Sequence, residues 1–405
     1  MLMNLLSLQN ADLSNKTVFL RCDINSPVDP RDLSILDKSR LIEVANTIRK
    51  LNNCKLVVAS HQGRLGNSDY ISMSQHAIVL SELLNRVVKF VPDISGPIVI
   101  TEIQNMNNGD ILLLDNLRFL AEENSEMLPE QAVNSHLVKK LSPYFDVCVL
   151  DAFSTSHRSH PSIVGFAELM PAYAGTIVEG EVKALQNIVQ NPDIKFTAIL
   201  GGAKIPDRLK SIQKLINAGR IEKTLLGGLI GNAFLTASDQ VPLSSTLIDD
   251  KNSVQTAKSL LEQYPDKFVL AEDVAVEVDG KRTEKKLVDV NASDKIFDIG
   301  TITIQNFLQQ IDHAENIFIT GPLGVFENQE FRLGTVEILN KLANSNAKTI
   351  TSGGHLSAVL EQLQLKDKIY HVSTAGGALV RYLTGEELPL LQALNNSAAR
   401  YNQNQ

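Results

Sequence analysis

A doubly wound α/β fold, laid out as two Rossmann-like parallel-sheet domains joined by a helix, is the class this sequence predicts. Three observations predict it. Short apolar, β-rich runs recur along the chain, stretches with helical spacing lie between many of them, and 405 residues exceed what one hydrophobic core usually serves. Near-continuous apolar strands alternating with amphipathic helices require parallel sheets covered on both faces.

In order, KTVFLRCDI (16–24) reads as the first strand, SRLIEVANTIRKLNN (39–53) as helix, KLVVASH (55–61) as strand and SMSQHAIVLSELLNRV (72–87) as helix. DILLLDNLRF (110–119) and DVCVLDAF (146–153) follow as strands. PAYAGTIVEGEVKALQNIVQNP (171–192) reads as one helix through its middle, ahead of a fresh strand in FTAILGG (196–202), and is the natural hinge element. KTLLGGL, FVLAEDVAV, ENIFITGP, KTITSGG and YHVSTAGG read as the later strands, with DRLKSIQKLINAGR and FRLGTVEILNKLANS as helices among them. The expected division is a first domain at 1–172, an interdomain helix at 173–192, a second domain at 193–385 and a tail at 386–405 whose polar end frays.

The 38 basic against 46 acidic side chains, a net charge of −8, argue against general nucleic-acid or anionic-membrane binding, so an anion site must be a local cluster. Cys22, Cys54 and Cys148 stand apart without metal-ligand spacing, as expected of thiols in a reducing compartment. The first residues lack the basic segment of a secretory signal, and no run approaches the ~18 apolar residues of a membrane span. The expected location is the cytoplasm.

Ligands of open parallel sheets sit at the carboxyl ends of strands. In the first half those ends carry Asp23 and Asn25, His61 and Arg64, Arg118, then His157 and Arg158, with Arg40 opening a helix. Arginines recurring at one rim of an acidic protein suit a small, highly charged anion such as a phosphate monoester. In the second half the strand ends hold Gly201, Gly202 and Lys204, Gly227 and Gly228, the turn with Pro322 and Glu327, then Gly353, Gly354 and His355, and Gly376 and Gly377. Glycine lets backbone approach a ligand, and helix N-termini offer free N–H groups to phosphate, which together favour a nucleotide. There is no GxxxxGK[ST] loop and no GxGxxG, so neither a Walker-type NTPase nor a dinucleotide-dependent dehydrogenase is supported.

An arginine-rich domain facing a glycine-rich one is the layout of a two-substrate phosphotransferase. FLRCDINSPVDP, LDKSR, SHQGRLG, LDNLRF, DAFSTSHRSHPSIVGF, LGGAKIPD, GPLGVFE, SGGH and VSTAGGALVRYLTGEELP, in that order, resemble phosphoglycerate kinase, and most of all its archaeal branch. The resemblance implies reversible phosphoryl transfer between 1,3-bisphosphoglycerate and ADP, giving 3-phosphoglycerate and ATP with Mg²⁺. It implies a phosphoglycerate-binding first domain, a nucleotide-binding second domain and closure of one on the other. By the same resemblance Asp23 and Asn25 meet the substrate hydroxyl and carboxyl end, His61, Arg64, Arg118, His157 and Arg158 clamp its phosphate, and Arg40 approaches the transferring group. Lys204 and Arg208 fall to the nucleotide phosphates, Gly201, Gly202, Gly227 and Gly228 to the turns and adenine wall, Pro322 and Glu327 to the nucleoside edge and ribose. Gly353, Gly354, Gly376 and Gly377 fall to the phosphate turns.

The chain departs from the common family pattern at Arg208, at Thr320, at Ser352 to His355 and at Thr374 to Gly377. His355 stands where a carboxylate associated with magnesium is usual; an imidazole is a poor magnesium ligand, so His355 is expected to donate to a phosphate oxygen instead. No metal-ligand set and no oligomeric state can be read from the sequence. The rival readings are a metal-dependent hydrolase built on His157 and His160, and a paralogue that binds phosphoglycerate or nucleotide without turnover.

Overall fold

The computed structural model describes residues 5–401. The chain divides into two compact units, one of residues up to 186 together with those from 386, the other of 187–385. The first unit contains β1 (Thr17–Cys22), β2 (Lys55–Ala59), β3 (Val88–Val91), β4 (Ile111–Leu114), β5 (Val147–Asp151) and β6 (Ala172–Ala174), which form one parallel sheet in the order β3-β4-β2-β1-β5-β6. β4 and β5 are buried along their whole length, because helices cover both faces and leave no wet side on which polar residues could alternate. Val18 and Leu20 face Leu41, Val44 and Ile48 of the helix Ser39–Lys50, while Phe19, pointing the other way, packs against Phe166 and Phe145 with ring centres 4.2 and 5.2 Å apart.

The parallel register sets Arg21 opposite Ala59, and Cys22 opposite Asp151. The loops after β1, β2 and β5 therefore leave on a common rim. β1 leads to β2 on one side, and β5 lies on the other, so the topological switch point falls between β1 and β5.

The second unit contains β7 (Phe196–Leu200), β8 (Ile221–Leu226), β9 (Phe268–Val269), β10 (Asp273–Val278), β11 (Lys281–Lys286), β12 (Ile296–Ile299), β13 (Asn316–Thr320), β14 (Lys348–Ser352) and β15 (His371–Ser373). Six of these form a parallel sheet ordered β15-β14-β13-β7-β8-β9, with its switch point between β7 and β13. β10, β11 and β12 form a separate antiparallel sheet.

That small sheet corrects the reading of FVLAEDVAV as a single strand: Phe268–Val269 closes the parallel sheet and Asp273–Val278 belongs to the antiparallel one. Its partner KRTEKK is an edge strand with no buried residue, so apolar alternation could not reveal it. The legible signal was Asp279-Gly280, whose φ values of +51° and +77° make a two-residue hairpin turn.

The helix expected within 171–192 is Thr176–Gln190. The expectation of a frayed end is corrected up to Tyr401, because Pro389–Tyr401 is a helix with Leu390, Leu391, Leu394 and Ala398 buried. The Ala172 N–H donates to Ser397 Oγ at 2.8 Å, and Arg400 pairs with Glu168 at 2.6 Å. The final residues, 402–405, lie outside the described residues.

Candidate active site

On the rim of the first unit, Arg40 Nη1 donates to Asp23 Oδ2 at 2.6 Å and to the Asn25 carbonyl at 3.2 Å. The Ser154 hydroxyl donates to the same Asp23 oxygen, and the Asn25 N–H reaches Oδ1 at 3.0 Å. Burial pushes the Asp23 carboxyl up, but Arg40 leads the opposing interactions that hold it well below the usual carboxylate range. Asn25 Oδ1 accepts from the Gly63 N–H at 2.8 Å, and Arg118 Nη1 donates to the Gly63 carbonyl. Gly63 has φ +64°, and a Cβ there would lie 2.2 Å from the Asp69 carbonyl oxygen, so only glycine serves.

His61 is buried, with Nδ1 3.3 Å from Arg21 Nη2. Burial, aided by Arg21, Arg118 and Arg40 against Asp23, drives its basicity well below the ordinary value, so the ring is neutral. Arginine only donates; Nδ1 is therefore the acceptor and the ring proton sits on Nε2. Burial first, then the guanidinium groups of Arg21, Arg64 and Arg158 acting against Asp23, push Arg118 down to about 10. Like charges gathered from the end of β1 and from the loops after β2, β4 and β5 thus sense one another. Arg64 is exposed, His157 is half-buried, and Arg158 is half-exposed against Glu126 at 3.0 Å.

In the second unit the glycines are of two kinds. A Cβ on Gly201 would lie 2.1 Å from the Pro322 carbonyl oxygen, one on Gly228 2.7 Å from the Gly202 nitrogen, and one on Gly227 2.8 Å from a Leu323 methyl. Gly202 N–H donates to Pro322 O at 2.7 Å and Gly228 N–H to Leu323 O at 2.8 Å. These glycines let three loops pack on each other, a reason separate from ligand approach. Gly354, Gly376 and Gly377, by contrast, face open space, and Gly353, with φ +99°, has only Arg208 Nη2 near, at 3.7 Å.

A cavity of about 240 Å³ opens beside the first group, lined by Gly202, Gly228, Pro322, Glu327 and His355 among others. His355 is the second residue of the helix Gly354–Gln362, and its Nε2 lies 3.1 Å from Glu327 Oε1. Lys204 stands exposed just ahead of the helix Ile205–Asn217. Arg208, one turn along, is half-buried with Nε unpartnered, and burial pushes its guanidinium down.

A family model described as phosphoglycerate kinase matches residues 8–386. The chain belongs to the phosphoglycerate kinase family. It is 39% identical to the phosphoglycerate kinase of Methanothermus fervidus over 97% of this chain and 98% of that one. It is 40% identical to that of Methanobacterium bryantii over 96% of each chain. The crystal structure of phosphoglycerate kinase from Pyrococcus horikoshii superposes with a TM-score of 0.89 at 36% identity, covering 98% of this chain and all, 100%, of the other. The activity is accordingly that of a phosphoglycerate kinase: reversible phosphoryl transfer between 1,3-bisphosphoglycerate and ADP, giving 3-phosphoglycerate and ATP.

Two departures from the phosphoglycerate kinase pattern acquire a physical reason. Thr320 Oγ1 donates to the Ser352 carbonyl and Ser352 Oγ to the Ala375 carbonyl, both at 2.9 Å. The two hydroxyls pin the ends of β13, β14 and β15 side by side, beneath the open glycines. In the phosphoglycerate kinase rim, sequence reasoning meets Arg21 and Asn116 at strand ends and Ser154 in the loop after β5, but assigns none of them a role. Arg21 is 1% exposed and donates from Nε to Ser162 Oγ at 2.9 Å, while Ser162 Oγ in turn donates to the buried Glu123 at 2.6 Å. Asn116, fully buried, accepts from the Gln62 and Arg118 N–H groups and donates to the Gln62 and Ile71 carbonyls. An amide that satisfies four backbone groups holds the His61 and Arg118 loops in one frame. The only signal for either residue was its place at a strand end.

Proposed function

We propose that the rim of the first unit holds 3-phosphoglycerate, or 1,3-bisphosphoglycerate in the reverse direction, and that the second unit holds ATP or ADP. The observation that carries the first half is the convergence of Arg21, Arg64, Arg118 and Arg158 on one rim, where burial first, and then the like charges of the other three against Asp23, depress Arg118. A phosphate monoester relieves that crowding and is gripped by guanidinium forks. His61 adds a neutral Nε2–H donor, and His157 and Arg158 add the far side of the clamp. Asp23 and Asn25, fixed by Arg40 and Gly63, face the hydroxyl and carboxyl end. Arg40 uses Nη1 on Asp23 and Asn25; the rest of its fork is left for the phosphoryl group in transit.

In the second unit the cavity walled by Gly202, Gly228 and Pro322 takes the nucleoside, and Glu327 takes the ribose. Gly353, Gly354, Gly376 and Gly377, with open space where a side chain would stand, apart from Arg208 beside Gly353, meet the phosphates with Lys204 and Arg208. Charge spreads over three equatorial oxygens in a loose transition state, so cations and oriented N–H groups suffice and no covalent intermediate is required. Mg²⁺ supplies further neutralisation of the phosphates. Among the described residues no three His, Cys, Asp or Glu side chains gather as a metal site, and Glu327 is paired with His355, which fits an ion held by phosphate oxygens and water.

Three buried free thiols support a cytoplasmic enzyme, and no described helix is long and apolar enough to cross a membrane. Turnover with ATP and Mg²⁺ in the presence and absence of 3-phosphoglycerate tests the reading. Acyl phosphate formation that needs both substrates is expected. ATP loss without 3-phosphoglycerate would point to a hydrolase, and binding without turnover to an impaired paralogue.

A further inference from the structure

Resting on the nucleotide reading of the second unit, we propose that Arg282, on the antiparallel strand β11, is a positioning residue for the nucleoside cavity and acts through the buried carboxylate of Asp298. The floor of that cavity is β12, with Phe297, Asp298 and Ile299; its wall is the loop carrying Pro322, Gly324 and Glu327. Neither Arg282 nor its strand lines the cavity, and the Asp298 side chain has no solvent exposure, 0%.

Asp298 Oδ2 accepts from Arg282 Nη1 at 2.7 Å and from the Gly334 N–H at 2.9 Å, and Oδ1 accepts from the Ile299 N–H at 2.9 Å. The carboxylate fills the space a Cβ would need on Gly324, 2.3 Å away, and on Gly334, 2.6 Å away. It is a wedge between the cavity wall and the start of the helix Leu333–Ala343, and both glycines are what make room for it. Wall and floor are also joined directly, the Val325 N–H donating to the Phe297 carbonyl at 2.9 Å. A shift of the wedge therefore moves the surface that a nucleoside touches.

Arg282 is well placed to hold the wedge still. Besides Asp298 it grips the Ile299 carbonyl through Nη2 at 2.8 Å and Glu284 through Nε at 2.8 Å, so all three nitrogens of the guanidinium are engaged. Burial raises the Asp298 carboxyl to about 6 against the pull of Gly334 and Arg282. Without the cation the buried carboxylate would have to take up a proton or admit water, and either change loosens its hold on the Gly334 N–H.

The experiment measures ADP and 3-phosphoglycerate binding by calorimetry, and steady-state kinetics, for wild type, Arg282→Met, Arg282→Lys and Asp298→Asn. Arg282→Met is expected to weaken ADP binding about ten-fold, the equivalent of about one net hydrogen bond. KM for ATP should rise in step, with kcat at saturating ATP and 3-phosphoglycerate affinity unchanged. Arg282→Lys, which keeps the charge and loses the fork, should recover part of the loss. Asp298→Asn preserves the volume and should show the same selective loss, so the proposal does not hang on the folding of Arg282→Met. Wild-type affinity for ADP in the folded variants, or an equal loss for both ligands, overturns the proposal while the nucleotide reading stands. Failure of the wild type itself to bind ADP overturns both.

Discussion

Arg158 and Lys204 are the residues on which the two halves of the chemistry can be separated. Arg158 is half-exposed and already shares Nη1 with Glu126. Its truncation to alanine should weaken 3-phosphoglycerate binding by about 1.5–3 kcal/mol, the scale of a charge-assisted hydrogen bond, and toward the lower end because Glu126 has to be displaced. ADP affinity should hardly change; calorimetry with each ligand decides, and unchanged phosphoglycerate affinity removes Arg158 from the clamp. Lys204→Ala should mainly lower kcat, since a cation beside the transferring group is worth most against developing charge. A rise confined to KM for ATP would make Lys204 a ground-state binder. Residues of this kind were legible because arginine or lysine at a strand end is conspicuous in an acidic chain. Arg21 and Asn116 stand at strand ends as well, but their roles were not legible, since these lie in buried partners 40 and 54 residues away in sequence.

At the scale of elements, the glycine-rich turns were legible as turns but not by purpose. Composition cannot tell a glycine that admits a neighbouring loop from one that admits a ligand. Gly201→Ala would set a methyl 2.1 Å from the Pro322 carbonyl oxygen, backbone against backbone, so something must move. Gly376→Ala meets nothing within 4 Å. The first is expected to destabilise the second unit by about 1–3 kcal/mol, as overpacking does, and the second to leave stability within about 0.5 kcal/mol while reducing nucleotide affinity. Thermal unfolding beside ADP titration separates them; equal stability loss in both would void the distinction. The β10–β11 hairpin was hidden for a related reason, its solvent-facing edge strand carrying no apolar pattern.

At the scale of the whole molecule, the two-unit layout follows from chain length and repeated strand–helix alternation, while the return of the 389–401 helix to the first unit depends on partners more than 200 residues away, such as Ala172 for Ser397. The units should also differ in their response to acid. In the first unit burial is the main reason that His76 and His160 fall to about 4 and that His61 falls well below the ordinary value. Between pH 6.5 and those lowered values the unfolded chain binds protons that the folded unit does not, so stability falls with falling pH. From pH 7 to 5 His76 and His160 each contribute a loss of about 2 kcal/mol, and His61 acts in the same direction. Asp151, raised to about 6 by burial, and Glu123, also raised by burial, work in the opposite direction, because the folded form holds protons that the unfolded form has released. Asp151 returns about 1.4 kcal/mol over the same range, less than a single imidazole removes. In the second unit Asp298, raised to about 6, gains on acidification. Acidification from pH 7 to 5 should therefore cost the first unit a few kcal/mol, roughly 2–3 from His76 and His160 net of Asp151, and leave the second unchanged or firmer. Hydrogen exchange corrected for its intrinsic pH dependence, read separately over β1–β6 and β7–β15, measures this directly. A parallel loss of protection in both sheets would mean that the buried histidines do not govern the acid response.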